Sequence, residues 1–232
     1  MAVKFSPNNT KNIQDEDRRL DIANIYTLNR IGSDENIEEG ASLTYGFEYL
    51  KSNKADKDVL EASLANVLRV KESDTLPNQS SLGDKTSDIV GNLTYSPNDF
   101  LNLEYDFLLD SNFNDNNYQS ISSEFRVNNF ITSFEYLNEN KTNNSLSFIS
   151  NKTSYNLDES NNILFETRED KKTGLTEFYN LIYQYKNDCL KAAIEYNKDY
   201  YTDGDLKPQE NVFFKLTIIP FGETSSANLL KW

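Results

Sequence analysis

The chain contains no histidine, so neither a Ser-His-Asp hydrolytic site nor a zinc site with imidazole ligands can be assembled from it. Its one cysteine, Cys189, cannot form a disulfide within the chain, and it follows an acid, Asp188, a poor setting for a nucleophilic thiolate. A half-buried small residue and a partner thiol outside this chain are the two readings open to it. Carboxylates are abundant, 37 Asp and Glu in all, so a glycosidase pair such as Glu104 with Glu135 can be drawn but has little support. The acidic runs DENIEE and DGD offer hard oxygen ligands to calcium. Neither has the spacing of a complete calcium loop, and solvated acidic loops are the default reading. We expect no catalytic residues, no metal and no cofactor.

Composition points away from a catalytic cleft and toward strands. There are 14 Tyr and 14 Phe against one Trp, 8 Gly and 5 Pro, the usage of strands joined by polar loops. A net charge of −14 and a pI near 4.5 argue against a nucleic-acid partner, which needs clustered Lys and Arg. An anionic surface facing phosphorylated headgroups would instead be bridged by divalent cations. No stretch reaches the ~20 apolar residues of a spanning helix. The mean hydropathy of −0.69 does not exclude a membrane barrel, whose lipid-facing and lumen-facing residues alternate and average out. The opening MAVKFSPNNT has no apolar leader core, so a barrel made of this chain is expected to be a piece of a longer exported protein.

The dominant period is two. Leu101, Leu103, Tyr105, Phe107 and Leu109 share one face while Asn102, Glu104, Asp106 and Asp110 share the other, as a strand with one apolar face requires. The same alternation runs through Leu43, Tyr45, Phe47 and Tyr49, through Phe130, Thr132, Phe134 and Tyr136, through Leu190, Ala192, Ile194 and Tyr196, and through Val212, Phe214, Leu216 and Ile218. About twelve strands follow: 2–6, 42–51, 58–71, 85–96, 99–110, 117–128, 129–139, 145–157, 161–169, 175–186, 189–200 and 210–220. Eleven or twelve residues at ~3.4 Å each, tilted by ~40°, rise close to ~30 Å, enough for the ~25 Å apolar band of an outer membrane. The joins alternate. SNKADK, SPN, Asn128–Asn129, DESNN and KND are short, whereas the segment from Pro7 to Gly40, KESDTLPNQSSLGDK, SNFNDNN, NENKTNN, EDKKTG and TDGDLKPQE are longer.

This asymmetry predicts an all-β fold: part of an antiparallel transmembrane β-barrel, with short periplasmic turns and longer extracellular loops. It would span residues 1–220, with 221–232 as an irregular tail ending in Trp232. Mid-strand charges avoid the apolar face. Glu48, Glu104, Asp106, Glu124, Arg126, Glu135, Lys191, Glu195 and Lys215 lie opposite it and would line a wet lumen. A secreted carbohydrate-binding β-sandwich predicts the reverse, with Tyr105 and Phe107 buried, and period alone does not separate the two. A general diffusion porin needs the same strands around an open channel.

Four segments resemble the barrel domain of the LptD (OstA) family. They are KFSPNNTKNIQDEDRRLDIANIYTLNRIGSDENIEEGASLTYGFEY, with its Asn29–Arg30 step and acidic-glycine run; LANVLRVKESDTLPNQSSLGDKTSDIVGNLTYSPND, where Arg69 closes a strand; VNNFITSFEYLNEN; and TEFYNLIYQYKNDCLKAAIEYNKDYYTDGDLKPQENVFFKLTIIPFG. The resemblance implies a non-enzymatic bacterial outer-membrane protein, the C-terminal part of a larger barrel. Such a barrel receives lipopolysaccharide from a periplasmic bridge protein, holds an LptE-type plug lipoprotein, and releases its cargo through a lateral seam among outer-membrane lipids. The last strand, Asn211, Val212, Phe213, Phe214, Lys215, Leu216, Thr217, Ile218, Ile219, Pro220 and Phe221, would be one lip of that gate, the other lying upstream. Cys189 matches the family's C-terminal cysteine, which is linked to one in the N-terminal periplasmic region. Here Leu190 follows where a second cysteine is often found.

Overall fold

A computed structural model describes residues 1–7, 11–16, 18–31, 36–140, 145–200 and 208–218. Among them twelve strands form one sheet in simple sequence order: β1 (Ala2–Ser6), β2 (Gly40–Ser52), β3 (Asp58–Arg69), β4 (Ile89–Asn98), β5 (Leu101–Leu109), β6 (Asn116–Val127), β7 (Phe130–Glu139), β8 (Leu146–Asn156), β9 (Asn161–Asp170), β10 (Leu175–Lys186), β11 (Leu190–Asp199) and β12 (Gln209–Ile218). The fold is all-β, and the pairings resolved strand by strand are antiparallel. β1 and β12 are the two ends of the order. Asn211 to Ile218 of the expected gate strand fall within β12; Ile219, Pro220, Phe221 and the tail to Trp232 lie outside the described residues.

Two expected joins differ. The strand expected from residue 85 becomes regular only at Ile89: Thr86 pairs with Leu68 of β3 in an isolated antiparallel bridge, with Arg69 N donating to Lys85 O and Ser87 N to Val67 O, and the ladder is interrupted where Asp88 N turns to Ser80 O in the preceding loop. EDKKTG is a tight turn and not a long loop. Asp170 Oδ1 accepts from the Lys172 and Thr173 amides, and Gly174, at φ +66, donates its own amide to Asp170 O. A positive φ at that position suits glycine.

The chain forms two compact units, one built from Met1–Phe125 with Phe134–Ile149, the other from Arg126–Ser133 with the chain from Ser150 onward. In the first unit the register keeps the apolar series together. Phe47 faces Leu64 and Tyr49 faces Ala62; Leu93 then faces Tyr105, and Tyr105 faces Ile121. Yet this is the face left open: Tyr45 is 45% exposed, Phe47 64% and Tyr49 45%, whereas Ser42 and Thr44 on the other side are buried. The polar side is covered by the described parts of the chain's own connections, residues 11–16, 18–31, 36–39 and 71–88. Their Ile13, Leu20, Ile25, Ile31, Leu76 and Leu82 pack with Ala65, Val67, Val90 and Leu108 of the strands as one buried cluster. Each such aliphatic side chain contributes about 1.5–3 kcal/mol on burial. Tyr105 and Phe107 stay half-exposed while Leu108, on the opposite face, is buried, which is the reverse of a sandwich.

The second unit keeps the same alternation. Leu181 faces Phe165 and Tyr196, and Ile194 faces Tyr183 and Phe214, on the apolar side. Leu181 and Ile194 are exposed, as are Val212, Phe214, Leu216 and Ile218 along β12. On the other side Leu164, Ile182 and Ala193 make a small buried cluster.

Candidate functional site

The long β1–β2 connection is fixed to the polar wall by one carboxylate. Glu38, fully buried, accepts from Arg30 Nη2 at 2.7 Å and Nε at 2.9 Å, from Arg69 Nη1 at 2.7 Å, and from Lys4 Nζ at 2.9 Å. Arg30 also donates from Nη1 to Thr44 Oγ1 and from Nη2 to Ser42 Oγ, while Arg69 donates to the Glu39 carbonyl at 2.6 Å. Every charged group therefore has partners, as burial demands. The arrangement needs Gly40: its φ of +85 turns the chain into β2, and a Cβ there would stand 3.1 Å from Arg69 Nη2. Burial alone would raise the Glu38 carboxyl above its usual range, but Arg30 and Lys4 outweigh it and hold the value below 4.5. The Asn29–Arg30 step, the acidic-glycine run and strand-closing Arg69 are thus brought together on one atom group.

A second anchor is Arg19, whose guanidinium lies 3.3 Å from the Tyr118 ring centroid and 3.4 Å from Glu139 Oε1. Beneath it a groove of about 410 Å³ remains, walled by residues 19–23 and by Asn92, Glu104, Asp106 and Tyr118. Asn92 Nδ2 donates to Asp106 Oδ1 at 2.7 Å across the β4–β5 ladder.

Asp88, at the mouth of β4, is fully buried; its Oδ2 accepts from Asn117 Nδ2 at 2.7 Å and its Oδ1 has no well-formed hydrogen bond. Burial, with Asp110 and Asp84 nearby, pushes its carboxyl from 3.8 up to about 6. A carboxyl raised in the folded state favours folding fully below pH 3.8 and loses that contribution as pH rises to about 6. Asp88→Asn, which can still accept from Asn117, should therefore stabilise the protein at pH 7.5 by up to about 3 kcal/mol, at ~1.36 kcal/mol per unit, and by nothing near pH 3.5. Urea unfolding of both proteins at the two pH values checks this; an equal difference at both would refute it.

The remaining charges expected on the polar wall are placed by register. Glu48 stands opposite Ser63, Glu104 between Thr94 and Ser122, Asp106 between Asn92 and Ser120, and Glu124 opposite Asn102. Arg126 follows two residues after Glu124 in β6, and Glu135 is in β7. In the second unit Lys191 faces Lys186 and Thr217, Glu195 faces Ile182 and Phe213, and Lys215 donates to Glu195 at 2.6 Å. Glu104 and Glu135 are not brought together in any contact that the structure describes. Cys189 is a free, partly exposed thiol in the β10–β11 turn, its amide bonded to Asn187 Oδ1. Among the described residues no group of three or more acidic or thiol side chains could hold a metal ion. Sequence reasoning missed the Glu38 centre and Asp88. The signal lay in the apolar residues Ile13, Leu20, Ile25 and Ile31 within a segment too polar overall to suggest a core.

An open apolar face and a polar face sealed by the connection between the first two strands are both features of a barrel wall. The family comparison agrees: residues 6–162 match the family model of LptD, LPS transport system D. The chain belongs to the LptD family. That family works in lipopolysaccharide transport at the outer membrane and is a transport family rather than an enzyme family. The match covers Arg30, Glu38 and Arg69 of the buried centre and the loops packed around it, while Lys4 lies before its first residue. No curated protein matches the chain.

Proposed function

We propose that this chain is one wall of an outer-membrane barrel that passes lipopolysaccharide to the outer leaflet, with β12 as one lip of a lateral opening. The observation that carries the reading is the exposure of the apolar series on strand after strand while the polar face holds the charges and the covering loops. Strands of 9–13 residues from β2 onward can cross the ~25 Å apolar band. β12 supports the gate role because it ends the strand order and its apolar side chains are exposed. A sheet edge left in this way invites pairing with another strand, here the upstream lip. On this reading short turns face the periplasm, where Cys189 meets the thiol of an N-terminal region and a periplasmic bridge protein delivers cargo. An LptE-type lipoprotein occupies the lumen.

The test is photo-crosslinking in growing cells, with a benzophenone side chain placed at Phe213 on the polar face of β12, at Phe214 on its apolar face, and at Leu103 near a periplasmic turn as control. Lipopolysaccharide should be captured at Phe213 and Phe214 and not at Leu103, and a non-reducing gel of the same cells should show Cys189 linked to the upstream region. Capture at β12 no greater than at Leu103 would remove the gate and leave the porin alternative.

A further inference from the structure

The second unit carries an unmatched pair of positive charges on its polar face. Lys186 and Lys191 are directly opposite each other in the β10–β11 ladder, so both side chains leave the sheet on the same side. Like charges in that position destabilise a strand pair. Among the described residues neither ammonium has an anionic partner. Glu195, which shares this face of β11 and lines the same groove, is already bonded to Lys215. Next to the lysines is a groove of about 200 Å³ whose floor is apolar, formed by Ile182 and Ala193, both buried, with Thr217 on the far wall. Three lysines and one carboxylate give this groove a net positive charge in a chain whose total is −14.

We infer that Lys186 and Lys191 form a subsite for the phosphate of an anionic amphiphile, with the Ile182–Ala193 floor against the adjoining hydrocarbon. Two ammonium groups suit a doubly charged phosphomonoester, each donating a charge-assisted hydrogen bond. The apolar floor is what selects a lipid phosphate over free phosphate. The inference rests on the transport reading and deepens it. The β10–β11 turn, residues 187–189, is one of the short connections, so the subsite stands at the periplasmic mouth, where cargo first meets the wall. Bound phosphate also neutralises the cross-strand repulsion, so the site is stabilised by its ligand.

The experiment titrates the full chain, folded in a zwitterionic detergent, with three probes: bisphosphorylated lipid A, the same lipid after enzymatic removal of its phosphates, and inorganic phosphate. The double variant Lys186→Gln/Lys191→Gln should bind the phosphorylated lipid roughly ten- to a hundredfold more weakly, the range for losing charge-assisted bonds. Its affinity for the dephosphorylated lipid should be unchanged, and its stability without ligand equal to or above the parent's. Lys186→Arg/Lys191→Arg, which keeps the charge, should retain binding. Equal binding of the two lipids by the parent, or an unaffected double variant, overturns the subsite; inorganic phosphate binding as tightly as the lipid overturns the amphiphile. An unaffected double variant beside successful capture at Phe213 defeats the subsite alone, whereas failed capture at β12 defeats the transport reading whatever the titration gives.

Discussion

Glu38→Ala is expected to free the 11–39 segment from the polar wall at a cost of about 3–5 kcal/mol, the range for removing one partner from a buried ion pair. Alanine leaves Arg30, Arg69 and Lys4 converging on a buried space with no counter-charge, and Arg30 and Arg69 have nowhere else to place the donors they gave to Glu38. Lys4→Ala should do much less, because its ammonium is the least enclosed of the three and its loss leaves the carboxylate with two arginines. The readout is amide exchange at Ile25 and Ile13, whose N–H groups bond Asp21 O and Thr75 O and lie in the cluster that Glu38 secures. Protection at both should collapse in Glu38→Ala and fall slightly in Lys4→Ala; protection kept in Glu38→Ala would mean the apolar contacts suffice. Because the folded Glu38 value is depressed, its contribution is present above the ordinary 4.5 and is lost only as pH falls through the lower folded value. Acid should therefore release the segment in the parent and change little in Glu38→Ala.

The strands were legible because period two is a local property: Leu101 to Leu109 announces a one-faced strand without reference to any other part of the chain. Which face stayed open was not legible in the period, since a sandwich and a barrel write the same alternation, and only strand length and the asymmetry of the joins favoured the barrel. The decision came from burial, with Thr44 covered and Phe47 open. The segment from Pro7 to Gly40 read as an extracellular loop for want of any period. Its core depends on Ile13 reaching Thr75 and on Leu20 N donating to Ser80 Oγ at 3.2 Å, partners far along the chain that no local pattern reveals. The Glu38 centre has the same character, since Lys4, Arg30 and Arg69 come from β1, the loop and β3. Arg30 and Arg69 stood inside the segments that resembled the family, which made their positions visible before their meeting point was. At the other extreme, Asp170 made a tight turn out of EDKKTG through its own side chain, a purely local device that the count of polar residues obscured.

The orientation of the sheet can be put to a direct test with two adjacent residues. Ile121 and Ser122 are consecutive in β6, so their side chains leave opposite faces; Ile121 faces Tyr105 on the open apolar side, and Ser122 faces Glu104 on the polar side. In phospholipid vesicles Ile121→Arg should cost about 2–4 kcal/mol, the penalty for arginine near the bilayer midplane on the lipid face of a barrel. Ser122→Arg should be nearly neutral or slightly stabilising, because it places a cation opposite a carboxylate, a cross-strand pair contributing about 0.2–1 kcal/mol. Denaturant unfolding of the vesicle-inserted protein gives both differences, and the fraction of heat-modifiable folded protein gives an independent check. If the apolar face met water, Ile121, already 47% exposed, would accept arginine within about 0.5 kcal/mol and the two variants would be indistinguishable. If it met a second protein layer, Ile121→Arg would be as harmful in detergent-free buffer as in vesicles. Only a lipid-facing wall makes the penalty large, confined to one face, and dependent on the bilayer.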